Sequence, residues 1–209
     1  MERAIVYYTD SRLDKDLDVA VRAQLLKAAG DIPIISVSQK PLDFGKNICV
    51  GEKPASYRSI YEQILVGLEQ TQASIINLCE HDVFYDKSHF EFIPTYTDRI
   101  YFNLNRYYWK RGFETFGFTF GRRAPSQAVA DRELFYDSVK KHINHGEVGP
   151  HINVRLENWW SFYPNIDIRH DNNFSQGKVL TTYLSGATTG PKSVPGWGTT
   201  DEFSKAVKY

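Results

Sequence analysis

The sequence predicts an α/β fold with a mostly parallel, Rossmann-type sheet covered by helices on both faces. The first observation is that three short apolar runs, at residues 4–8, 33–38 and 74–79, alternate with two longer amphipathic segments. Apolar runs of this length are typical of parallel strands buried on both faces. The second observation is that a polar segment follows each run, as in sheets that present loops at one edge.

The first helix is predicted over residues 15–29, between the first two strands. Asp14 can cap its first turn, and Gly30 can end it. Its inner face is formed by apolar side chains at i, i+4 and i+8, which are Leu17, Val21 and Leu25. This spacing places one apolar stripe against the sheet.

The second helix is predicted to follow a loop with glycine and proline at residues 39–55. Ser59 and Glu62 have the spacing of a capping box, and the helix is expected to extend to about residue 72. The third strand comes next, so the first eighty residues predict a β-α-β-α-β unit.

The remainder of the chain predicts fewer regular elements. Strands are expected at residues 99–103 and 115–121, and a helix at 126–143. After residue 145 the chain is expected to be rich in loops. A chain of 209 residues fits one domain, so a single domain over residues 1–209 is predicted, and the sequence contains no internal repeat or low-complexity tract.

The composition is that of a globular protein rather than of a nucleic-acid-binding or membrane protein. Hydrophobic residues make up 42% of the chain, and 25 basic residues balance 25 acidic ones. A net charge of zero offers no long-range attraction to nucleic acid. No apolar run reaches the roughly 20 residues of a membrane span, so membrane insertion is not expected. The first residues lead straight into a strand, and the two cysteines lack metal or redox spacing. The predicted location is therefore the cytoplasm, that of the host if the protein is viral.

Chemically reactive side chains are concentrated where the three predicted strands end. The strand ends carry Thr9-Asp10-Ser11, Ser38-Gln39-Lys40 and Glu80-His81-Asp82. Ligands of open α/β sheets bind at this edge. Glu80 and Asp82, with His81 between them, offer donors for a divalent cation, Mg²⁺ or Mn²⁺. The alternative interpretation is an acidic strand end that only caps the next turn.

The order of these elements and motifs resembles the nucleotide-sugar-binding half of GT-A glycosyltransferases of the family 2 type. Glu80-His81-Asp82 stands where that fold carries its Asp-x-Asp motif, with Glu in place of the first Asp. Tyr8-Thr9-Asp10-Ser11 is similar to the first-strand loop that meets the nucleotide. Gly51 with Ser56-Tyr57-Arg58 resembles the Gly-x-Ser-x-Ala-Arg-Asn-type stretch, although Ser59 follows Arg58. Residues 41–47 are also similar to small bacterial and phage GT-A-like glycosyltransferases.

This resemblance implies a metal-dependent enzyme that moves a sugar from a UDP- or GDP-sugar to an acceptor hydroxyl. Residues 4–90 would form the nucleotide-sugar-binding half, and residues 91–209 the acceptor half with C-terminal loops. The residues expected to bind the nucleotide-sugar are Tyr8, Thr9, Asp10, Ser38, Gly51, Ser56, Arg58 and Arg169. The expected metal ligands are Glu80, Asp82 and His170. His170 resembles the late-loop histidine of the fold, in a segment at 167–173 that is expected to be mobile until ligands bind.

A catalytic base is expected near the start of the helix that follows the acceptor-side strand. Asp131 and Glu133 occupy that position, and Glu157 is a further candidate. Such a base would take the proton of the acceptor hydroxyl as the new bond forms. Each of these acids has the alternative of being an ordinary solvated side chain.

The acceptor is expected to be a carbohydrate, and a hydroxymethylated base of phage DNA is the alternative. Residues 105–123 interleave basic and aromatic side chains, which can grip a phosphate backbone or form ordinary amphipathic strands. Trp159, Trp160 and Trp197 can stack on a sugar, and Trp109 or Trp159 on a flipped base. Two other functions stay open, a nucleotidyltransferase and a non-catalytic sugar- or nucleotide-binding module.

Overall fold

A seven-stranded sheet forms the centre of the computed structural model, which describes residues 2–118, 121–145, 154–170 and 190–207. Its strands are β1 (Arg3–Thr9), β2 (Ile34–Ser38), β3 (Lys46–Cys49), β4 (Ile75–Glu80), β6 (Arg99–Asn103), β9 (Ala128–Asp131) and β10 (Arg155–Trp159). The spatial order is β10-β6-β9-β4-β1-β2-β3. Strand β9 is antiparallel to its neighbours β4 and β6, and the other pairs are parallel. The carboxyl ends of β1, β2, β4, β6 and β10 therefore lie at one edge of the sheet.

Helices cover both faces of this sheet, as the sequence predicted. They are α1 (Lys15–Ala29) and α3 (Lys87–Glu91) on one face, and α2 (Tyr57–Glu69) and α4 (Arg132–His145) on the other. Along β1, Ile5 and Tyr7 pack towards α1, while Val6 and Tyr8 pack towards α2. The alternation follows from the two-residue repeat of a strand. None of the described helices is both long and apolar enough to cross a bilayer.

Helix α2 lies close against the strands that carry the site. A Cβ atom at Gly67 would approach Cγ1 of Val6 to 2.4 Å, so glycine permits this close approach. Nε2 of Gln63 donates to the carbonyl oxygen of Thr9 at 2.7 Å. These contacts fix the first half of α2 beside the carboxyl end of β1.

A second, four-stranded sheet stands beside the first. Its strands are β5 (Val83–Phe84), β7 (Arg106–Lys110), β8 (Gly117–Phe118) and β11 (Asn165–Arg169), in the order β5-β11-β7-β8. A small hairpin of β12 (Ser193–Val194) and β13 (Gly198–Thr199) leads into α5 (Thr200–Ala206). Leu17 of α1, Trp109 of β7, Ile166 of β11 and Phe203 of α5 share one apolar core.

Two predictions about the first ninety residues are wrong in detail. The side chain of Ser56, rather than that of Ser59, caps α2, and Ser59 completes the capping box. Glu62 instead forms ion pairs with Lys53 and Arg58. The segment predicted as a loop at residues 39–55 contains β3, which pairs with β2 at the edge of the sheet.

Two further corrections concern the second half. The predicted helix at 126–143 begins only at residue 132, because residues 128–131 form β9. An apolar run as short as Ala128-Val129-Ala130 fits a strand and a helix equally well. The region after residue 145, expected to consist of loops, contains β10 and β11.

Candidate functional site

A cleft of about 270 Å³ opens at the carboxyl ends of β1 and β4. It is lined by the ends of these strands, the start of α2, the segment 122–126 and the strands β7 and β11. This is the edge at which α/β sheets bind their ligands. The cleft is therefore the candidate site.

The pairing of β5 with β11 brings two distant segments of the chain together at this cleft. Strand β5 begins directly after Asp82, and the backbone N–H of Ile168 donates to the carbonyl oxygen of Asp82 at 2.7 Å. As a result, Nε2 of His170 lies 3.8 Å from Oδ2 of Asp82. Residues 167–169 belong to a strand rather than to the loop that was predicted, and residues 171–173 lie outside the described part of the chain.

His81, Asp82 and His170 offer three ligand atoms that lie within 4.8 Å of one another. His81 is only 7% exposed, and neither of its ring nitrogens has a hydrogen-bond partner among the described residues. A buried polar group without a partner costs about 1–3 kcal/mol, and coordination to a metal would supply a partner. Burial opposes ionisation of Asp82, but His170, His81 and Arg169 outweigh it and lower its pKa. A carboxylate beside two imidazoles fits a divalent ion.

Glu80, the third predicted metal ligand, has a different environment. Its Oε2 accepts a hydrogen bond from the hydroxyl of Tyr8 at 3.4 Å. Burial, together with the charge of Asp82, raises the pKa of Glu80 well above its usual value. The structure thus brings Asp82 and His170 together and adds His81, while Glu80 faces Tyr8.

Asp10 lies at the cleft beside His81. Its Oδ2 accepts hydrogen bonds from Nε and Nη2 of Arg12 at 2.8 and 2.5 Å. Its Oδ1 lies 3.6 Å from Nε2 of His81. Asp14, rather than Asp10, caps α1, since its side chain accepts from the N–H groups of Asp16 and Leu17. The position of Asp10 is therefore independent of helix capping.

Arginines form a basic part of the same cleft. Nη1 of Arg106 donates to Oδ2 of the buried Asp167 at 2.5 Å, and Nη2 donates to the carbonyl oxygen of Arg122 at 2.8 Å. The guanidinium carbon of Arg169 lies 4.0 Å from the ring centre of Tyr108. Stacked guanidinium groups of this kind are well suited to phosphate oxygens.

Comparison with known proteins shows the fold. No protein-family model matches the chain, and no curated protein matches its sequence. Among solved structures it is similar to S. aureus TarS 1–349 in complex with UDP-GlcNAc, with a TM-score of 0.51 and 10% identity over 83% of this chain. The match spans 60% of the length of that TarS chain.

Two further structures are similar at 10% identity. One is 4-diphosphocytidyl-2C-methyl-D-erythritol synthase from Anaerococcus prevotii, with a TM-score of 0.48 over 77% of this chain and 89% of that one. The other is the inositol-1-phosphate CTP transferase of T. maritima, with a TM-score of 0.47 over 91% of this chain and 98% of that one. The α/β architecture, with its mostly parallel sheet, is GT-A-like, as the sequence predicted.

The residues predicted to bind the nucleotide-sugar divide into two groups. Those that line the cleft are Tyr8, Asp10, Ser56 and Arg169. Those that do not line it are Thr9, Ser38, Gly51 and Arg58. Thr9 accepts a hydrogen bond from the backbone of Ser11, and the hydroxyl of Ser38 donates to the carbonyl oxygen of Lys40. These two hydroxyls stabilise the loops that border the site.

The predicted base candidates lie away from the cleft. Asp131 pairs with Ile75, at the amino end of β4. Ile75 and Glu80 are the two ends of this strand and are about 17 Å apart, at about 3.3 Å per residue. The side chain of Asp131 accepts from the N–H group of Glu133, so it caps α4. Glu157 pairs with Arg99. The structure does not bring any of these carboxylates to the cleft, and our proposal leaves them out.

Two of the four tryptophans predicted to be stacking platforms, Trp109 and Trp159, are buried. Trp109 is buried in the core of the second sheet, and Trp159 stacks on Phe92 with the ring centres 4.3 Å apart. The prediction that either one stacks on a flipped base is therefore wrong. Trp197 is half-buried and donates to a carbonyl oxygen, whereas Trp160 is 65% exposed.

Sequence reasoning missed several side chains of the cleft. Arg106 belongs to a stretch that the sequence marks only as generally basic, and its buried partner Asp167 lies in a segment predicted to be a loop. The alternation in residues 165–169, with Ile166 and Ile168 buried, is the period-two signal that could have identified β11. Tyr61 and Gln63 of α2 also line the cleft, but their helical spacing gives no sign of it.

Proposed function

We propose that the protein is a metal-dependent glycosyltransferase that moves a sugar from a UDP- or GDP-sugar to an acceptor hydroxyl. The observation that supports it is the division of one cleft into two chemical environments. His81, Asp82 and His170 provide a place for a divalent ion, and Arg169, stacked on Tyr108, provides positive charge nearby. The diphosphate of a nucleotide-sugar is negatively charged, so a bound metal ion and a positively charged side chain would both stabilise it in the cleft.

Different residues of the cleft would bind the metal ion, the diphosphate and the nucleoside. Asp82 and His170 would hold Mn²⁺ or Mg²⁺, which when bound would neutralise negative charge on the diphosphate. Arg169 of β11, stacked on Tyr108, would donate hydrogen bonds to phosphate oxygens. Tyr8 and Ser56 border the part of the cleft that we assign to the nucleoside. Free thiols at both cysteines fit a reaction in the cytoplasm.

A carbohydrate acceptor is supported by the exposed aromatic side chains at the end of β10. Trp160 is 65% exposed and Phe162 is 79% exposed, and the turn that carries them is held by Ser161, whose N–H donates to Oδ1 of Asn103. This turn lies at the same edge of the sheet as the cleft, three strands from β4, or about 14 Å at about 4.8 Å per strand. Rigid aromatic faces suit the apolar face of a sugar ring.

The proposal is tested by the hydrolysis of UDP- and GDP-sugars with and without Mn²⁺. We expect slow hydrolysis that depends on metal and stops in EDTA, because water replaces the acceptor poorly. Full turnover in EDTA would contradict the metal requirement. Transfer of a nucleotide from CTP to a sugar phosphate would indicate a nucleotidyltransferase instead, and binding without any turnover would indicate a non-catalytic module.

A further inference from the structure

His81 is the cleft residue whose environment is hardest to explain without a ligand. The ring is almost fully buried, both nitrogens lack a hydrogen-bond partner among the described residues, and its centre lies 5.9 Å from that of His170. The ligand atoms of these two imidazoles and of Asp82 fit within 4.8 Å. Two imidazole nitrogens and one carboxylate oxygen this close together can act as the donor set of a metal ion.

We propose that His81, Asp82 and His170 form a two-histidine, one-carboxylate site that takes a first-row transition ion, from Mn²⁺ to Zn²⁺, in preference to Mg²⁺. Imidazole nitrogens suit transition ions, whereas Mg²⁺ prefers oxygen ligands in a strict octahedron and keeps several waters. With two nitrogens among three protein donors, the site is poorly matched to Mg²⁺. The inference rests on the proposed function for the role of the metal in catalysis, but metal binding is measured without sugar transfer.

Asp10 is the positioning residue of this site. The guanidinium of Arg12 holds Oδ2 of Asp10, and the other oxygen, Oδ1, lies 3.6 Å from Nε2 of His81. The 3.6 Å separation is an electrostatic contact, and it becomes a hydrogen bond with a small shift of the ring when His81 ligates a metal; loss of such a carboxylate partner typically costs about 10–100-fold in metal affinity. Asp10 therefore contributes to metal binding through His81.

The test is direct metal binding by protein from which a chelator has removed bound ions. Mn²⁺ binding is followed by the electron paramagnetic resonance signal of the free ion, Mg²⁺ binding by calorimetry, and Co²⁺ binding by its visible absorption. We expect Mn²⁺ and Co²⁺ to bind at least about tenfold more tightly than Mg²⁺. Mn²⁺ should also raise the melting temperature, because it binds the folded state.

Three variants assign the ligands. His81→Ala should abolish tight Mn²⁺ binding and the rise in melting temperature that Mn²⁺ causes. Asp10→Asn should weaken Mn²⁺ binding about 10–100-fold. Glu133→Gln, at the opposite edge of the sheet, is the matched control and should bind Mn²⁺ like the wild type. Because the ring nitrogens of His81 have no hydrogen-bond partner among the described residues, the metal-free melting temperature of His81→Ala should stay close to that of the wild type.

Two results would overturn the inference. One is equal affinity for Mg²⁺ and Mn²⁺. The other is loss of Mn²⁺ binding in Glu80→Gln while His81→Ala still binds it, since the two acids would then be the ligands. Tight Mn²⁺ binding with no turnover of any nucleotide-sugar contradicts the proposed function alone. Turnover by His81→Ala with Mg²⁺ contradicts this inference alone.

Discussion

Asp82 and Asp131 are both aspartates at strand ends, yet the structure gives them opposite surroundings. Asp82 lies in the cleft between His170 and His81, and His170 helps to lower its pKa. The side chain of Asp131 accepts hydrogen bonds from two N–H groups in the first turn of α4, at the other edge of the sheet. One carboxylate therefore faces the candidate site, and the other stabilises a helix.

This contrast predicts opposite effects of the two substitutions. Asp82→Asn should lower nucleotide-sugar turnover about 100-fold or more, because it removes a charged ligand of the metal ion that would neutralise the diphosphate, and should leave the melting temperature nearly unchanged. Asp131→Ala should lose about 1 kcal/mol of stability, or about 2–4 °C in melting temperature, and keep its activity. Kinetics and thermal unfolding of both variants check this. An active Asp82→Asn enzyme, or an inactive but stable Asp131→Ala enzyme, would reverse the assignment.

At the scale of elements, the sequence predicts those that bury a regular apolar pattern. The strands β1, β2 and β4 and the helix α1 were predicted to within a few residues, because their apolar side chains recur at two- or four-residue spacing. Strand β3 was missed because it is a four-residue edge strand in which only the adjacent Ile48 and Cys49 are apolar, so it has no alternating pattern. Strand β9 was merged with α4, because the boundary depends on pairing with β4 and β6, which the local sequence does not encode.

One polar network ties α3, β6 and β11 together beneath the site. Nδ1 of the buried His89 accepts hydrogen bonds from the side-chain amides of Asn103 and Asn165 at 3.1 and 3.0 Å. Asn165 also donates to Oε1 of Gln127, next to the segment that lines the cleft. Two donors at one nitrogen require a neutral imidazole with its proton on Nε2.

The network predicts a loss of stability in acid. Burial and the charge of Arg3 lower the pKa of His89 from 6.5 to about 3. Between these values the unfolded chain binds a proton that the folded chain does not, so the free energy of unfolding falls as the pH drops below 6.5. At pH 4.5 this loss should be about 2–3 kcal/mol. The loss is measured by urea unfolding of the wild type and of His89→Gln at a pH above 6.5 and at pH 4.5. Between these two pH values the free energy of unfolding of the variant should fall by about 2–3 kcal/mol less than that of the wild type. Equal acid sensitivity of the two proteins would mean that His89 is not the group responsible.

At the scale of the whole molecule, the sequence predicted the edge of the sheet at which the candidate cleft opens, but not all of the residues that line the cleft. The edge follows from the direction of the parallel strands, and Asp82 and Asp10 follow from their place at strand ends. The contact between Arg106 and Asp167 joins residues 61 positions apart, so it depends on the pairing of β7 with β11. The environment of His81 likewise depends on His170, which follows directly after β11.

The whole molecule also bears on the choice between a sugar and DNA as the acceptor. The net charge is zero, and Trp109 and Trp159 are buried. The arginines of the segment 105–123 are partly engaged, since Arg106 pairs with Asp167 and Nε of Arg123 donates to Oδ1 of Asn158. Few basic side chains of the segment 105–123 are therefore available to bind a phosphate backbone.

We therefore expect no duplex DNA binding at physiological salt. Any binding at low salt should weaken steeply as salt rises, because it would come from phosphate contacts and the release of counterions. The measurement is a titration of labelled duplex with the wild type and with a double variant, Arg122→Ala with Arg123→Ala, at both salt concentrations. The salt dependence is the slope of the logarithm of the binding constant against the logarithm of the salt concentration. If these arginines bind phosphates, this slope should be less steep in the double variant, by about one unit for each arginine that no longer binds a phosphate. Tight binding that persists at physiological salt would favour a DNA acceptor, and no binding at either salt concentration would leave the carbohydrate as the acceptor to pursue.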